Sequence, residues 1–372
     1  MVEWKKLGEV CNLVRGKVIS KDYLRDNEGE YPVYSSQTAN NGIFGCINSY
    51  MFDGDYLTWT TDGAYAGTIF RRKGKFNITN VCGLIDITED NLNQDFLYYW
   101  LSLTAKDYVN EGMGNPKLMS NVAATISIPL PSLSEQERIV GILDTFTSSI
   151  ENLKSQISLR RKQYEHYRDK LLDLEGKPGV EMKTIGEVFE MRGGYTPSTS
   201  NNQFWEGGTI PWFKMDDIRE KGRILNDSNL HITPPAVKGK GLFKANSIIL
   251  ATSATIGEHA LITVEHLSNQ RFTNLYPKKE YLGKIDMIFF YYYMFIVDKW
   301  CKQNILQGSF ASVDGVGLKN LSIPLPSLQE QSRIVSILDE FEASIKNLEA
   351  QLEAREKQYE YYREKLLTFE RE

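Results

Sequence analysis

Cysteine is scarce in this sequence, and the few cysteines are scattered. The 372 residues include four, Cys11, Cys46, Cys82 and Cys301, and no two of them form a C-x-x-C pair. A zinc site needs ligands at short spacings, and a disulfide framework needs more cysteines than these. We therefore expect no bound metal and reduced thiols at packed positions.

Long apolar runs are also missing. The longest, Met287–Val297, is much shorter than the roughly 20 residues that span a bilayer, so it predicts a buried helix. The first residues are charged with no apolar stretch behind them, so we expect no signal peptide. We expect a cytoplasmic protein with no membrane partner.

An excess of positive charge is absent as well, since the net charge is -5. Segments 133–175 and 328–372 together account for this whole deficit, so the remaining chain is neutral and contains local basic clusters. Net charge bears on solubility and non-specific binding rather than on a local groove. The acidic balance therefore does not exclude nucleic acid as a partner.

Motifs of catalysis are missing too. There is no G-x-x-x-x-G-K-[ST] phosphate loop, and the string closest to an amino-methyltransferase loop, Thr233-Pro234-Pro235-Ala236, lacks its polar head and its aromatic residue. The four histidines, His166, His231, His259 and His266, lie beside no nucleophile motif. We expect no catalytic residue and no cofactor in this chain.

The sequence contains a long internal repeat. Residues 127–172 and 322–367 align at an offset of 195 without a gap, and 31 of the 46 positions are identical. Weaker similarity precedes each copy, for example Leu7-Gly8-Glu9-Val10 and Ile185-Gly186-Glu187-Val188. The chain is therefore a duplicated half, with a variable region followed by a near-constant segment.

The constant segments are predicted to be coiled-coil helices. Apolar residues recur at alternating spacings of three and four, which is the heptad pattern of a seam. The leading seam positions are Leu143, Phe146, Ile150, Leu153, Ile157, Leu338, Phe341, Ile345, Leu348 and Leu352. Arg160 and Arg355 occupy one seam position in both copies, where they either fix register or lie along the seam edge. Ser132 with Glu135, and Ser327 with Glu330, match a capping box.

These patterns predict an α+β protein with a pseudo-twofold internal repeat. Short β-like runs separated by Gly, Asn and Asp indicate a small twisted sheet in each variable region. The two helices are expected to pair as an antiparallel coiled coil. The predicted domains are a first variable domain 1–128, a first helix 129–175, a second variable domain 176–323 and a second helix 324–372.

The variable regions contain side chains suited to nucleic acid. Lysine and arginine bind phosphates, whereas amide, hydroxyl and arginine groups contact base edges. An ordinary turn or a solvated hairpin tip is the alternative for each cluster. The candidate DNA-binding residues are Ser36, Gln37, Asn40, Asn41, Thr60, Thr61, Tyr65, Arg71, Arg72, Lys73, Lys75, Thr196, Ser198, Lys214, Lys238, Lys240, Thr252, Ser253, Thr255, Asn269, Gln270 and Arg271.

The whole chain resembles the specificity subunit of type I restriction-modification systems. The string I-P-L-P-S-L-x-E-Q-x-R-I-V occurs twice, at 128–140 and 323–335, each time before heptads. The second variable region adds Gly194-Tyr195-Thr196-Pro197-Ser198 and Ser268-Asn269-Gln270-Arg271-Phe272, which resemble strings of a target recognition domain. The first variable region lacks the Thr-Pro-Ser string and resembles another subtype of that domain.

The resemblance implies a function without catalysis in this chain. Each recognition domain would bind one half of a bipartite duplex target, and the helices would set the gap and dock two methyltransferase subunits. Restriction-translocase subunits would join through that complex, and S-adenosylmethionine, ATP and magnesium would belong to the partners. The alternatives are a specificity subunit of a related two-subunit system that methylates and cuts, a coiled-coil scaffold for proteins, and a hydrolase with an unrecognised site.

Overall fold

The computed structural model describes residues 2–306 and 311–370, which divide into two compact units. Unit 1 comprises Met1–Lys154 and Ala350–Glu372, and unit 2 comprises Ser155–Glu349. Each long helix therefore contributes one part of its length to each unit. In the described residues, no helix combines the length and the apolar character needed to cross a membrane.

Unit 1 is built on a six-stranded sheet with the strand order β2-β7-β5-β6-β3-β4, beside a two-stranded ladder of β1 and β8. The elements up to the first long helix, in chain order, are β1 Glu3–Lys6, α1 Leu7–Val10, β2 Cys11–Arg15, α2 Lys21–Asp26, β3 Glu28–Tyr34, β4 Ile43–Ile47, β5 Phe52–Thr60, β6 Ile69–Ile78, β7 Cys82–Ile87, α3 Gln94–Thr104, α4 Ser120–Ala123 and β8 Ser127–Leu130. The long helix α5 follows at Leu133–Leu172.

Unit 2 repeats this plan with a five-stranded sheet, β10-β17-β14-β15-β12, a three-stranded sheet, β13-β11-β16, and ladders of β18 with β19 and of β20 with β9. Its elements are β9 Glu181–Thr184, α6 Ile185–Val188, β10 Phe189–Gly193, β11 Ile210–Phe213, α7 Met215–Lys221, β12 Ile224–Leu225, β13 Leu230–Ile232, β14 Ser247–Ala251, β15 His259–Ile262, β16 Leu267–Ser268, β17 Phe272–Pro277, α8 Met287–Gln303, β18 Ile305–Leu306, β19 Ser312–Val313, α9 Gly315–Asn320 and β20 Ser322–Leu325. The second long helix, α10, is Leu328–Leu366.

One buried helix supports each main sheet. In unit 1, α3 buries Phe96, Leu97, Tyr99, Trp100 and Leu101 in the core. In unit 2, α8 contains the longest apolar run of the sequence, and most of its aromatic side chains are buried. The run therefore forms a core helix, as its length predicts. The α+β class with small sheets and two long helices is confirmed.

The two long helices pair in an antiparallel manner within each unit. In unit 1, Phe146 stacks on Tyr362 and the Lys154 Nζ lies 2.8 Å from the Glu356 Oε1, so ascending numbers on one helix meet descending numbers on the other. In unit 2, Arg161 binds Glu349 at 2.5 Å and Tyr167 stacks on Phe341. The predicted antiparallel coiled coil is thus present in both units.

The seam positions are unevenly buried. Leu143 and Leu338 are fully buried, and Ile150 and Ile157 are nearly so. Phe146, Leu153, Phe341, Ile345, Leu348 and Leu352 are partly buried. A two-helix seam leaves one side of each stripe open to water, so part of the seam stays accessible.

The repeated seam arginines lie over aromatic rings rather than in solvent alone. The guanidinium carbon of Arg160 lies 5.8 Å from the ring centroid of Phe341, and that of Arg355 lies 5.6 Å from the centroid of Phe146. Both distances are within the range of a cation–π contact. The contact is the same in both units because the partners are themselves repeated residues.

Each long helix begins with a hydroxyl cap. The Ser132 Oγ accepts from the Glu135 N–H at 3.4 Å, and the Ser327 Oγ accepts from the Glu330 N–H at 3.3 Å. The glutamates do not complete the reciprocal half of the predicted capping box. Instead they form two hydrogen bonds each with Arg138 and Arg333, at 2.7 and 2.8 Å.

A buried glutamine fixes each helix to the variable domain that precedes it. The Gln136 side chain, with no exposed surface, accepts from the Asn93 N–H at 2.8 Å and donates to the carbonyl oxygens of Asn91 and Pro131 at 2.8 and 2.9 Å. Gln331 likewise accepts from the Asp286 N–H at 2.7 Å and donates to Lys284 and Pro326. The repeated E-Q pair of the sequence is explained by these contacts.

We predict that Gln136→Met destabilises unit 1 by about 2–4 kcal/mol, because methionine fills the space but leaves buried backbone groups without partners. Gln331→Met should have the same effect in unit 2. Denaturant unfolding followed by circular dichroism measures the change. Gln163→Met, at an exposed position of the same helix, is the control and should alter stability by less than about 0.5 kcal/mol. Equal stability of Gln136→Met and the control would contradict the prediction.

Candidate nucleic-acid interface

In unit 1, one turn gathers the ends of several strands into a polar edge. The turn 79–81 hydrogen-bonds to three strand ends: the Thr79 N–H donates to the Tyr34 carbonyl at 2.8 Å, the Asn80 N–H to Lys17 at 2.9 Å, and the Thr61 N–H to Val81 at 3.2 Å. Loops 16–20, 35–42, 61–68 and 79–81 therefore meet at one end of the sheet. We call them the first polar edge.

The first polar edge collects seven of the candidate residues. Gln37, Asn40, Asn41 and Tyr65 are exposed there, and 61% of the Tyr65 surface is accessible. Ser36 is half-buried, whereas Thr60 and Thr61 are fully buried. Asn40 and Asn41 have φ of 49° and 51°, a left-handed conformation that asparagine tolerates better than most residues.

The two threonines serve the fold of the loop. The Thr60 Oγ1 donates to the Tyr65 carbonyl and accepts from the Thr68 N–H at 3.0 Å, which closes the β5–β6 hairpin. The Thr61 Oγ1 donates to the Asp62 Oδ2 at 2.7 Å. Their hydroxyls therefore shape the edge, and the expected contact with phosphates does not fit their burial.

Unit 2 has a second polar edge of related construction, formed by loops 194–200, 214–216, 252–258 and 269–271. The Tyr195 N–H donates to the Ser268 carbonyl at 2.9 Å, the Asn269 N–H to Phe213 at 3.0 Å, and the Thr252 N–H to Arg271 at 2.9 Å. The strands β10, β11 and β14 thus end around the turn 269–271.

The second polar edge collects nine candidates. Thr196, Ser198, Gln270 and Arg271 are exposed, and Lys214, Thr252, Ser253, Thr255 and Asn269 are half-buried. The Thr196 Oγ1 donates to the Gln270 Oε1 at 2.5 Å, which leaves the Gln270 amide hydrogens free to donate outward. The Asn269 Oδ1 accepts from the Arg271 N–H at 3.0 Å and so holds the turn.

The two edges share backbone geometry but not side chains. The Leu118 N–H donates to the Thr61 carbonyl at 2.9 Å, and Val313, 195 positions later, donates to Thr252 at 2.9 Å. Lys117 pairs with Asp62, and Ser312 with Ser253, as isolated bridges. Asn80 and Gln270 occupy comparable places in the two turns. The two edges therefore share one backbone arrangement and differ in their side chains.

A glycine permits the close approach in each frame. A Cβ at Gly16 would lie 2.1 Å from the Ile78 carbonyl oxygen, and one at Gly194 would lie 2.2 Å from that of Asn269. Backbone oxygens cannot retreat as a flexible side chain can. The loop that follows the first strand of each sheet therefore depends on glycine at this point.

Arg72 lies inside unit 1, which does not fit the predicted contact of this residue with a phosphate. Only 2% of its surface is exposed, and its guanidinium donates to the Thr58 Oγ1 at 3.0 Å and the Asn41 carbonyl at 2.8 Å. The same group lies 3.5 Å from the centroid of the Tyr34 ring. Burial lowers the pKa of Arg72, and the residue supports the loop that contains Asn41.

Arg71 is also engaged within the unit. Its Nε lies 2.6 Å from the Asp95 Oδ1 and its Nη2 lies 3.3 Å from the Asp144 Oδ1, while the group covers the rings of Tyr98 and Tyr99. Burial opposes the charge of Arg71, but Asp95 and the neighbouring groups raise its pKa on balance. These contacts join the sheet to α3 and α5, away from the first polar edge.

The other lysine candidates lie outside the loops that define the edges. Lys73 is 87% exposed in its side chain on strand β6, and the Lys75 Nζ lies 4.6 Å from the centroid of the Tyr50 ring. Lys238 and Lys240 are exposed on a loop of unit 2, where the Lys238 N–H donates to the Tyr195 hydroxyl at 2.8 Å. These four lysines cluster in the sequence, but none of them lies in the turns 79–81 or 269–271.

The structure adds cations and an amide that the sequence reasoning missed. Arg15 and Lys117 flank Asp62, at 4.0 and 3.7 Å, and Lys17 and Asn80 are exposed on the same edge. Only the pairing of strands places Arg15 near Lys117. The internal repeat relates Lys117 to Ser312 at the offset of 195, but the sequence alone did not mark either residue as a candidate.

Cations outnumber carboxylates at the first edge and equal them at the second. Beside the first are Arg15, Lys17 and Lys117 against Asp62. At the second, Lys214 and Arg271 stand against Asp216 and Glu258, and Glu258 is paired with Arg219 at 3.2 Å. The hydrogen bond from Lys214 lowers the pKa of Asp216, and the charge of Arg271 adds to this effect. Exposed amides and cations at a loop edge can contact base edges and phosphates of a duplex.

Other chemistry finds little support in the described residues. There, no cluster of three histidine, cysteine or acidic side chains is arranged to hold a metal ion. The four cysteines are free thiols. Burial raises the pKa of Cys11, Cys82 and Cys301 to about 12, so these thiols stay protonated near neutral pH.

Comparison with known proteins assigns the family. The family model described as type I restriction modification DNA specificity domain matches residues 1–160 and 178–355. The chain is 33% identical to the Escherichia coli type I restriction enzyme EcoR124I/EcoR124II specificity subunit, over 99% of this chain and 94% of that one. It is 50% identical to the E. coli EcoprrI specificity subunit over 55% of this chain and 53% of that one.

A solved structure shares the fold. The crystal structure of the type I restriction-modification S subunit from M. genitalium superposes with a TM-score of 0.61 at 16% identity, covering 100% of this chain and 97% of that one. The family model alone covers well over half of the sequence. The chain therefore belongs to the family of DNA specificity subunits of type I restriction-modification systems, which recognise DNA and leave catalysis to other subunits.

Proposed function

We propose that each polar edge binds one half of a bipartite DNA target. The observation that supports this is the pair of edges with one backbone frame and different exposed side chains: Asn40, Asn41, Asn80 and Tyr65 in unit 1, and Thr196, Gln270 and Arg271 in unit 2. Two readers of the same design with different contact groups would recognise two different short sequences.

The helices would set the spacing between the two half-targets. Helix α5 has 40 residues and α10 has 39, about 60 Å of helix each at 1.5 Å per residue. In DNA-binding proteins with two reading modules, the distance between modules sets the spacing of the half-sites. A stiff pair of helices would therefore leave a fixed number of base pairs unread.

A selection from random duplexes tests this proposal, using the full chain purified with its methyltransferase subunit. We predict a split motif with one fixed gap. Removing one heptad from both helices, residues 154–160 and 349–355, keeps the seam in phase and shortens each helix by about 10 Å. The gap should then shorten by on the order of 3 base pairs, at 3.4 Å each, with the same bases selected.

The result distinguishes the possible functions. A single ungapped motif would mean that one unit is not a DNA reader, and no enrichment would favour a protein scaffold. A change of selected bases after the heptad deletion would show that the helices do more than space the readers.

The two halves of the motif should respond to separate substitutions. We predict that Gln270→Ala relaxes discrimination at one or two base positions of a single half-site by about 1–3 kcal/mol, because the hydrogen bonds that its amide donates to a base are lost. The other half-site should be unaffected. Quantitative binding to duplexes with single substitutions measures the change, and Gln303→Ala, an exposed glutamine elsewhere in unit 2, is the control. Loss spread over both half-sites would refute this assignment.

The repeated helices would dock two methyltransferase subunits. Each unit presents the same exposed set at the start of its helix: Leu133 with the pair Glu135–Arg138, and Leu328 with the pair Glu330–Arg333. Leu133 and Leu328 are 42% and 44% exposed, so both copies of the repeat present the same apolar group to a partner. Identical partners need identical surfaces, so the near-constant segments would supply two equivalent sites.

We predict that Leu133→Asp and Leu328→Asp each remove one methyltransferase subunit from the complex, since a charge replaces an apolar contact in the interface. Native mass spectrometry should show two subunits bound to the unaltered chain, one to each single variant and none to the double variant. Leu159→Asp is the control, because Leu159 is 59% exposed and its counterpart is Ala354. Two bound subunits in every variant would place the docking surface elsewhere.

The chemistry of the complex would then lie in its partners. S-adenosylmethionine would be bound by the methyltransferase subunits, and ATP and magnesium by the restriction-translocase subunits. The chain itself would select the DNA sequence and provide the surfaces on which these subunits assemble.

A further inference from the structure

Unit 2 contains a basic cleft that lies outside the second polar edge. The cleft has a volume of about 640 Å³ and covers one face of strands β10 and β17. Glu190 and Arg192 of β10 pair with Tyr276 and Asn274 of β17, so these four side chains share that face. The loop with Lys240 and Lys244 forms the opposite wall.

Five cations line this cleft. They are Arg192, Lys240, Lys244, Lys278 and Lys319. In the part of the chain that the structure describes, none of them lies within 4.0 Å of a carboxylate oxygen, whereas Arg138, Lys154, Arg161 and Arg333 of the long helices each have such a partner. Glu190 is the one carboxylate among the described lining residues. The cleft is therefore strongly positive in a chain of net charge -5.

The cations are held by contacts that leave their charge uncompensated. The Arg192 guanidinium donates to the carbonyl oxygens of Lys240 and Gly241, at 3.2 and 2.7 Å, and lies 4.0 Å from the centroid of the Phe243 ring. The Lys278 Nζ donates to the Gly186 carbonyl at 2.5 Å. The Lys244 Nζ lies 4.8 Å from the centroid of the Tyr276 ring.

The cleft begins where the second polar edge ends. Arg192 is two residues before Gly194, the glycine that lies against Asn269 of the edge. At the other end, Gly186 and Lys278 lie near the start of β10, about five residues or roughly 17 Å along the strand. A row of cations thus leads away from the edge along one strand.

Unit 1 has the strands but not the charges. The positions that correspond to Glu190, Arg192, Asn274 and Tyr276 hold Asn12, Val14, Leu84 and Asp86, because β2 pairs with β7 in the same register. Ala124 stands where unit 2 has Lys319, 195 positions later. The cleft is therefore no part of the repeated scaffold and belongs to the variable part of unit 2.

We propose that this cleft binds phosphate groups. Five cations without carboxylate partners, around a volume in the range of small-molecule pockets, suit the binding of phosphate oxygens. The phosphates could be those of the DNA backbone beside one half-site, which rests on the function proposed above, or those of a free polyphosphate. The backbone source would anchor one half of a bipartite target more firmly than the other.

The test compares two double variants of the full chain. Lys240→Gln with Lys244→Gln removes two cleft charges, and Lys284→Gln with Lys346→Gln removes two exposed charges elsewhere in unit 2. Calorimetry with tripolyphosphate measures free phosphate binding. Anisotropy titrations of duplexes at several salt concentrations give the slope of log Kd against log salt.

We expect the cleft variant to lose phosphate binding in at least one arm. A salt slope smaller by about 2, with on the order of tenfold weaker binding of every duplex, identifies the DNA backbone as the source. Weaker tripolyphosphate binding with unchanged DNA binding identifies a free polyphosphate. If the cleft variant equals the control in both arms, the proposal is overturned.

The same data separate this proposal from the proposed function. An unaltered chain that binds all duplexes equally would refute sequence recognition whatever the cleft does. An unaltered chain with a split preference, together with a cleft variant that matches its control, would refute only the cleft.

Discussion

The structure depends on an apolar stripe that neither long helix can bury alone. Each helix presents a seam only one or two residues wide, and an isolated helix of this kind would leave Ile150 and Ile157 in water. The second copy of the repeat supplies the partner stripe in antiparallel orientation, so the duplication provides the cover. Matching Phe–Arg contacts in both units follow because the partner is the same sequence reversed in direction.

The helices are also fixed to the domains that precede them, and by polar contacts rather than apolar ones. Gln136 and Gln331 satisfy backbone groups at the start of α3 and α8, and the hydroxyls of Tyr99 and Tyr292 donate to Asp144 and Asp339 at 2.6 Å in both units. Such buried bonds are directional. They set the angle at which each helix leaves its domain, which an apolar contact would fix less well.

The sequence was most informative where its signal was periodic or repeated. The heptads predicted the two helices and their seam, and the duplication predicted two domains of one design. It was least informative for the polar edges, because proximity there depends on strand pairing: the turn 79–81 contacts the loop at Lys17, more than 60 residues earlier in the chain. The dense charge of the run 71–75 suggested a phosphate contact for Arg72. Alternate residues of a strand face opposite ways, however, and Arg72 faces inward.

The short ladders at the base of the recognition domains have a consequence for how such chains can change. Residues 3–6 pair with 127–130, and 181–184 pair with 322–325, so each variable region enters and leaves through one antiparallel ladder just before its helix. A segment whose two ends are neighbours can be exchanged as a cassette without displacing what lies beyond the ladder. Whole variable domains can then be exchanged by recombination while the helices that follow them stay unchanged.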